Sequence, residues 1–278
     1  MTAAHNEIGP WTEIKLEILK KYASAYSRIL STRTRPPFTH VYIDGFSGSG
    51  VHAAKQTGDL VWGSPTSVLL VDPPFCEYHL IDLDRGNIEV LEMMVRSRTI
   101  GPYRPDDVFF YNEDCNEVLL SKVFPRVKYE DYRRALCLLD PYGLHLNWEV
   151  VRTAGQMKSI ELFINFPIMD MNRNVLLRNP DNAKPDQIHR MNAYWGDSSW
   201  EQAAYSRNNL FKFKQKTSNT DVVGAFTRRL RSEAGFAYVP DPLPMRNSRA
   251  AVVYYLIFTA HQPVAADIVR EIFDRYRT

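Results

Sequence analysis

A glycine-rich loop after an apolar segment is the first place where residue types and spacing suggest chemistry. The loop runs from Asp44 to Gly50 with the sequence DGFSGSG, and His40 to Asp44 reads as a short buried strand. Glycines let a backbone turn sharply and approach a ligand closely. Open α/β sheets bind ligands at the carboxyl ends of their strands, which is where this loop would lie.

The acid that opens the loop indicates the kind of ligand. The Asp44 carboxylate would repel a pyrophosphate and attract a cationic group. S-adenosylmethionine carries a sulfonium and an amino group, so we predict that the loop binds this cofactor; a purely structural turn is the alternative. The predicted cofactor contacts in the loop are Asp44, Gly45, Phe46, Ser47, Gly48 and Gly50.

A dinucleotide-binding pattern overlaps the same loop. Residues 48–53 match G-x-G-x-x-A, which requires a helix that begins inside the pattern and meets the pyrophosphate with its N-terminus. Turn residues at 56–59 and 62–65 interrupt any such helix. The sequence therefore favours the methyl donor over a nicotinamide cofactor.

Two further acids follow the next predicted strands. Asp82 ends the segment from Cys76 to Leu83, and a carboxylate there can accept hydrogen bonds from both ribose hydroxyls of an adenosine cofactor. Asp114 follows a third strand and can accept from the adenine amino group, or it can cap a helix; the sequence leaves both open. Asp84 fits a helix cap.

A fourth motif, from Asp140 to Gly143 (DPYG), follows the predicted strand Ala135 to Leu139. An amino nitrogen conjugated to a base is a poor nucleophile. The Asp140 carboxylate and the Pro141 carbonyl can accept its two hydrogens, while the Tyr142 ring can stack on the base and stabilise developing positive charge. We predict these three residues to be catalytic; a strand-ending turn is the alternative. The motif resembles the D-P-P-Y of amino-methyltransferases, with Tyr142 at the second proline.

Alternating elements must position these motifs. The sequence predicts a Rossmann-like α/β fold, with a mostly parallel twisted sheet and helices on both faces. It predicts one domain over 1–278, with an N-terminal helix over 12–30 and a helical insertion over about 167–219. The predicted strands are His40–Asp44, Cys76–Leu83, Val108–Tyr111, Ala135–Leu139 and Ile160–Asn165, with Phe236–Val239 and Ala251–Thr259 closing the sheet.

The insertion is locally basic. Between Met171 and Lys216 there are eight basic and four acidic residues, a balance of 8 − 4 = +4, with aromatic residues interleaved. This composition suits phosphates and stacked bases, so we expect Lys212, Lys214 and Lys216 to contact nucleic acid. The alternative is a helical cap whose aromatic residues pack on the main domain.

Overall composition narrows the class of protein. The net charge of +2 names no partner, and neither the three cysteines nor the seven histidines have metal-ligand spacing, so no metal site is predicted. The longest apolar run, Ala250 to Ala260, is too short to span a bilayer. We therefore expect a soluble, cytoplasmic protein that does not bind membranes.

Five segments in order resemble the three-Cys-motif partner protein family, which is similar to class I S-adenosylmethionine-dependent methyltransferases. They are Lys15–Tyr22, Tyr42–Gly50, Leu139–Gly143, Ile164–Phe166 and Tyr254–Ala260. Where the family carries Gly-Pro-Gly, this chain has Gly48-Ser49-Gly50. The resemblance implies the fold, the cofactor and a partner protein encoded nearby. The substrate contacts expected with it are Asn165, Asp170, Asn172 and Arg173.

Three functions fit these features. The first is methyl transfer to an amino nitrogen of a base in DNA or RNA. The second is a non-catalytic or auxiliary subunit that works with a partner protein. The third is a small-molecule methyltransferase that uses the insertion as a lid. Bound cofactor and salt-dependent nucleic-acid binding would discriminate among them.

Overall fold

The computed structural model describes residues 7–54, 59–97, 101–207 and 214–277. The strands are β1 (Glu7–Ile8), β2 (Thr39–Asp44), β3 (Val51–Ala54), β4 (Leu60–Trp62), β5 (Glu77–Ile81), β6 (Val108–Tyr111), β7 (Arg133–Leu139), β8 (Ile160–Phe166), β9 (Tyr205–Arg207), β10 (Lys214–Lys216), β11 (Leu243–Arg246) and β12 (Val252–Thr259). The helices are α1 (Pro10–Ser31), α2 (Ser64–Leu69), α3 (Arg85–Arg96), α4 (Cys115–Val118), α5 (Trp148–Met157), α6 (Ile168–Asn174), α7 (Pro185–Trp195), α8 (Trp200–Ala204), α9 (Asn219–Ser232) and α10 (Pro263–Asp274).

A seven-stranded sheet in the order β11-β12-β8-β7-β2-β5-β6 forms the centre. The strands from β8 to β6 are mutually parallel, whereas β12 is antiparallel to both of its neighbours. The mostly parallel sheet confirms the predicted fold class. Strand order reverses on either side of β2, and such a switch point is where open α/β sheets bind ligands.

Alternation along the strands fills one hydrophobic layer on each face of the sheet. Val41 and Ile43 of β2 belong to the layer beneath α5 and α9, while Tyr42 between them belongs to the layer beneath α1, α2, α3 and α10. Successive side chains of a strand point to opposite faces, so an apolar run without polar interruptions requires a cover on both. The five buried parallel strands were predictable for this reason.

Helix α1 runs antiparallel to the parallel strands. Its Lys15 contacts Asp140 at the carboxyl end of β7, and its Tyr22 hydroxyl donates to Glu161 near the amino end of β8 at 2.5 Å. The Tyr22 ring packs edge-on against Phe163 and Phe258, with centroids 5.4 and 4.8 Å away. The helix therefore extends from the carboxyl ends of the parallel strands to their amino ends.

Two segments differ from the sequence prediction. Residues 51–54 and 60–62, where the sequence has turn residues and no clear period, form the antiparallel pair β3–β4, with β1 alongside β3. The strand predicted over Phe236–Val239 is wrong, since only Tyr238 bridges to Ala260 there. Pro240 and Pro242 lack the N–H groups that a ladder needs, and the edge strand β11 forms after them.

The insertion contains α6, α7 and α8, as its helical pattern predicted, together with the short antiparallel pair β9–β10. Its aromatic side chains Tyr194, Trp195, Trp200 and Tyr205 are 1, 2, 3 and 5 % exposed. They form part of the core, so for these four residues the structure favours the second of the two alternatives that the sequence left open, a helical cap whose aromatic residues pack on the main domain. Within the part of the chain that the structure describes, no helix has the length and apolarity to cross a membrane.

Candidate functional site

The glycine loop is held between two strands. The Gly45 amide donates to the Leu138 carbonyl of β7 and the Ser47 amide donates to the Ile81 carbonyl of β5, each at 2.9 Å. Gly48 and Gly50 have φ angles of 61° and 76°, in the left-handed region that disfavours residues with a Cβ atom. The loop is thus fixed over the carboxyl end of β2.

The two left-handed glycines serve different purposes. A Cβ atom on Gly50 would lie 2.7 Å from both Leu91 Cδ2 and Thr66 Oγ1, so Gly50 is required for packing. A Cβ atom on Gly48 would face open space, with His52 Cε1 the nearest described atom at 4.0 Å. Gly48 therefore leaves room for a ligand against its backbone.

Asp44 lies beneath the loop and is fully buried. Its carboxylate accepts hydrogen bonds from the Tyr42 hydroxyl at 2.9 Å and the Phe46 amide at 3.3 Å, and also from the Ser64 side chain. Burial raises the pKa of Asp44 to about 6, against the effect of these donors. The acid fixes the loop and places negative charge beneath it.

Asp82 fastens the loop to the end of β5. One carboxylate oxygen accepts from the Gly48 amide at 2.8 Å, and the other accepts from the Asp84 amide at 2.8 Å and from Asn87 Nδ2 at 3.1 Å. Asp84 caps α3 through the Gly86 amide at 2.8 Å, which confirms its predicted role. The structure therefore brings Asp82 into direct contact with the loop.

Asp114 caps α4, which is one of the two roles that the sequence allowed. It accepts from the backbone amides of Asn116 at 2.9 Å and Glu117 at 3.3 Å. It is exposed beside the end of β6. A cleft opens at the carboxyl ends of the parallel strands. Neither Asp82 nor Asp114 is among the described residues that line this cleft.

That cleft has a volume of about 340 Å³ and opens between the glycine loop, α1, α6 and the end of β7. Its walls bring together Phe46, Ser47, Gly48, Asp140, Pro141, Tyr142, Asn165, Asp170 and Arg173, all of them predicted site residues. The loop and the DPYG motif, separated by about ninety residues of sequence, thus share one cavity.

Both carboxylate oxygens of Asp140 have partners. Lys15 Nζ donates to Oδ2 and Asn165 Nδ2 donates to Oδ1, the latter at 2.8 Å. Lys15 is only 6 % exposed, and its ammonium also lies 5.8 Å from the centre of the Tyr254 ring. The lysine supplies the positive charge that a partly buried carboxylate needs.

Sequence reasoning missed Lys15 as a site residue, although a signal existed. Lys15, Leu19 and Tyr22 fall on one stripe of α1 at spacings of four and three. A lysine in an apolar stripe that faces a core requires an acid nearby. That acid lies 125 residues away along the chain, so no local pattern identifies it.

The cleft also contains an unused acceptor and an exposed ring. Asn165 is 9 % exposed, and no described residue donates to its buried Oδ1 atom. Pro141 is buried, whereas the Tyr142 side chain is 75 % exposed at the cleft. The motif therefore presents an aromatic face to solvent above a partly buried carboxylate.

The insertion supplies one exposed cation to the cleft, Arg173, while Asp170 beside it accepts from Asn174 Nδ2 at 2.8 Å. Asn172 and Lys216 form an internal tie instead. Asn172 bonds to Asn219 at 3.0 Å and accepts from Lys216 at 2.7 Å, and Lys216 also donates to the Leu176 carbonyl.

These hydrogen bonds compete with the predicted nucleic-acid contact of Lys216, because its ammonium already donates to acceptors of the chain and burial lowers its pKa. Lys212 lies outside the described residues, and Lys214 is described only as part of the backbone of β10. Nucleic-acid contacts from these two remain predictions.

Comparisons with known proteins identify the fold. No family model and no curated protein sequence matches the chain. Protein LPL1258 from Legionella pneumophila, a DUF519 protein, is similar in structure, with a TM-score of 0.50 and 12 % identity over 94 % of this chain and 92 % of that chain. The chain thus has the mixed α/β fold with a seven-stranded, mostly parallel sheet that its sequence predicted.

Two proteins solved with S-adenosylmethionine are more distant in structure. Trm1 from Pyrococcus horikoshii has a TM-score of 0.48 and 12 % identity, over 93 % of this chain and 57 % of that chain. Magnesium protoporphyrin IX methyltransferase from Synechocystis PCC 6803 has a TM-score of 0.39 and 11 % identity, over 88 % and 80 %. At such identities a likeness concerns the fold alone.

Proposed function

We propose that this chain is an S-adenosylmethionine-dependent methyltransferase that acts on an amino nitrogen of a nucleic-acid base. The observation that carries the proposal is the shared cleft, because it places the glycine loop and the Asp140-Pro141-Tyr142 motif around one cavity at the switch point of the sheet. A cofactor loop and an amino-activating motif must meet in this way for methyl transfer.

The open backbone at Gly48 fits the cofactor. In our proposal the loop backbone receives the amino acid portion of S-adenosylmethionine, and the buried Asp44 provides negative charge beneath its cationic groups. Asp82 would accept from the ribose hydroxyls, exchanging its present contacts with the Gly48 and Asp84 amides. Asp114 would receive the adenine amino group.

The motif after β7 would activate the acceptor. The Asp140 carboxylate and the Pro141 carbonyl accept the two N–H groups of the amino nitrogen, which leaves its lone pair directed at the methyl carbon. When bound, the cofactor would supply the methyl group, with the electron pair of the carbon–sulfur bond remaining on its sulfur and the nitrogen lone pair forming the C–N bond. The nitrogen would then lose one proton, and in our proposal Asp140 accepts it.

Asn165 and Lys15 would support this step in two ways. Lys15 and the Asn165 amide hold the carboxylate in one orientation, so its acceptor geometry exists before substrate arrives. The orphaned Asn165 Oδ1 atom is a further acceptor for a donor on the substrate base. Tyr142 would stack on that base, since its ring is exposed at the cleft.

A nucleic-acid substrate is supported by Arg173 and Tyr142, an exposed cation and an exposed ring at one cleft. An aromatic face for the base and a guanidinium for a phosphate suit a single-stranded or flipped nucleotide.

The test is transfer of tritiated methyl groups to total DNA and RNA from cells that lack the protein. Incorporation by wild type, and its loss in Asp140→Ala, would support the proposal; no incorporation despite bound cofactor would refute it.

A second candidate, an auxiliary subunit that requires a partner protein, is favoured by a separate observation. Leu60 and Trp62 of β4 are 66 % and 45 % exposed, and β4 pairs with β3, the strand that directly follows the glycine loop. Exposed large apolar residues mark interaction surfaces. The resemblance to three-Cys-motif partner proteins agrees with such a partner. Copurification with the protein encoded nearby, lost in Trp62→Ala, would test this candidate.

A further inference from the structure

A second cavity, of about 350 Å³, lies at the opposite edge of the sheet. It is bounded by α1, by the start of α10 and by the amino ends of β7 and β8. Its volume is within the range of small-molecule sites, and none of the chemistry proposed above uses it. We call it the amino-edge cavity.

Glu161 in the amino-edge cavity lacks a counter-charge. The Tyr22 hydroxyl donates to its Oε2 atom at 2.5 Å, but no donor from the described part of the chain reaches Oε1. Burial and the Tyr22 hydroxyl are the influences on this carboxyl group, and no cation of the described residues is among them. Burial raises the pKa of Glu161 to about 7, which is the effect of desolvation without a compensating cation.

A second polar group in the same cavity is buried without a hydrogen-bond partner in the described part of the chain. Tyr26 is 7 % exposed and lines the cavity, and its buried hydroxyl has no hydrogen-bond partner among the residues described. Burial of an unpaired polar group costs free energy, so native proteins pair such groups with protein, water or ligand. A carboxylate with a single described hydrogen-bond donor and a buried hydroxyl with none, beside a cavity, form a polar site that can hold a ligand.

The surroundings of these two groups define the chemistry of that ligand. Four aromatic residues line the cavity, namely Tyr22, Tyr26, Phe38 and Tyr129. Aromatic faces attract cations and also pack against apolar groups. The carboxylate and the rings therefore suit an ammonium group attached to an apolar or aromatic body.

Positive charges lie at the opening of the cavity. Arg33 and Lys158 line it and are exposed to solvent. The Arg134 guanidinium lies 4.9 Å from the centre of the Phe38 ring and 3.7 Å from that of Tyr129, so its plane is held against two rings. These cations would repel an amine that carries no negative charge. They would attract a carboxylate on a molecule that also carries the ammonium group.

We propose that the amino-edge cavity binds a free α-amino acid with an apolar or aromatic side chain, whose ammonium meets Glu161 and Tyr26 and whose carboxylate meets Arg134 and the exposed Arg33 and Lys158. The charge arrangement carries the choice, because an unpaired acid inside and cations outside match the two ends of a zwitterion. This inference is independent of the proposed methyl transfer, since no residue of that site lines the cavity in the described structure.

Three probes of one shape test both ends of the ligand. L-phenylalanine carries both charges, phenethylamine lacks the carboxylate and 3-phenylpropionate lacks the ammonium. We expect calorimetry without any cofactor to show binding of L-phenylalanine or L-leucine, about tenfold or more tighter than either truncated probe. Equal binding of all three probes, or no binding by any amino acid, would overturn the proposal.

Two variants locate the site. Glu161→Gln should weaken amino acid binding about tenfold or more, whereas Glu89→Gln on the exposed face of α3 should leave it unchanged. Tyr26→Phe deletes only the orphaned hydroxyl, so it should weaken binding several-fold in a protein that folds as well as wild type. Unaltered affinity in both cavity variants would place any observed binding elsewhere and contradict the assignment.

The pH dependence of amino acid affinity gives an independent test of the role of Glu161. An ammonium requires the ionised acid, so affinity should rise between pH 6 and pH 8 in wild type and stay level in Glu161→Gln. The other titratable or charged groups at the cavity are Tyr22, Tyr26, Arg33, Tyr129, Arg134, Lys158 and His261. Burial and Lys158 lower the pKa of His261, so its protonation should not produce this rise. A pH profile that Glu161→Gln leaves intact would contradict the role of the acid.

Discussion

Lys15 in α1 donates a hydrogen bond to the carboxylate of Asp140 after β7, although 125 residues separate the two in sequence. The lysine side chain is 7 % exposed and the aspartate side chain 22 % exposed. An ion pair so well shielded fixes both partners, because loss of either leaves a charge with poor access to water. The first helix of the chain thereby controls the orientation of the group proposed to activate the substrate.

The first prediction concerns this pair. Lys15→Met keeps the length of the side chain and removes its charge, so we expect the free energy of unfolding to fall by about 3 kcal/mol, the lower end for a broken buried pair. Urea denaturation measures it. Lys20→Met, on the exposed side of the same helix, is the control and should change stability by less than ~0.5 kcal/mol. Equal losses would show that the pair contributes nothing specific.

The DPYG motif should affect turnover more than cofactor binding. Asp140→Ala should keep S-adenosylmethionine affinity within a few-fold and reduce methyl transfer by ~10²-fold or more, the scale of one preorganised electrostatic group. Tyr142→Phe should be mild because the ring remains, and Tyr142→Ala should be severe. Calorimetry and single-turnover transfer separate the two effects. An Asp140→Ala protein with wild-type turnover would reduce the motif to a strand-ending turn.

Asp82 and Asp84 form a matched pair for testing the cofactor site. Asp82→Ala removes the proposed ribose acceptor and the contact with the Gly48 amide, so affinity for S-adenosylmethionine should fall about tenfold or more. Asp84→Ala removes only the cap of α3 and should cost ~1 kcal/mol of stability with unchanged affinity. If both variants bound the cofactor like wild type, Asp82 would not belong to the site.

The cations of the insertion should separate into two groups. Arg173→Ala and the pair Lys212→Ala with Lys214→Ala should flatten the dependence of nucleic-acid affinity on log salt, by ~0.7–0.9 for each lost phosphate contact. Lys216→Met should lower stability and leave that slope unchanged, because Lys216 donates to Asn172 and Leu176. A wild-type slope of zero would exclude a nucleic-acid substrate.

The fifth prediction is a pH dependence of stability. The folded-state pKa of Glu161 is about 7, above the ~4.3 of an unfolded chain, so between these values the folded protein binds more protons. The contribution of Glu161 to the free energy of unfolding is therefore greatest below pH 4 and is lost as pH rises toward 7, by about 4 kcal/mol in all. Thermal unfolding from pH 5 to pH 8 should show a steeper decline in wild type than in Glu161→Gln. Parallel declines would show that another group titrates.

The parallel strands could be predicted because their sequence carries enough local information. His40 to Asp44 is an apolar run that ends at an acid and glycines, and the structure begins β2 only one residue earlier. This apolar run must be buried on both faces of the sheet, and the glycines that follow favour a turn. The same logic located β5, β6, β7 and β8 to within two residues at most ends.

The parts that the sequence did not reveal depend on contacts between distant residues. The sequence around Lys15 does not indicate that it contacts Asp140. Likewise, the sequence around Glu161 does not indicate that it contacts Tyr22. The aromatic residues of the insertion satisfy a core pattern and a stacking pattern equally well, and only their burial decides between them. The alternation of apolar and polar residues that marks a half-buried strand is weak in the β3–β4 pair, because Leu60 and Trp62 are exposed and do not belong to the core.

The course of α1 has a practical consequence for handling this protein. Lys15 and Tyr26 are eleven residues apart on one helix, about 16 Å along its axis, and each lines a different pocket. Trimming the first thirty residues, or fusing a bulky tag close to Pro10, would therefore remove or displace a wall of both cavities together. Expression vectors for this chain should carry their affinity tags at the other terminus.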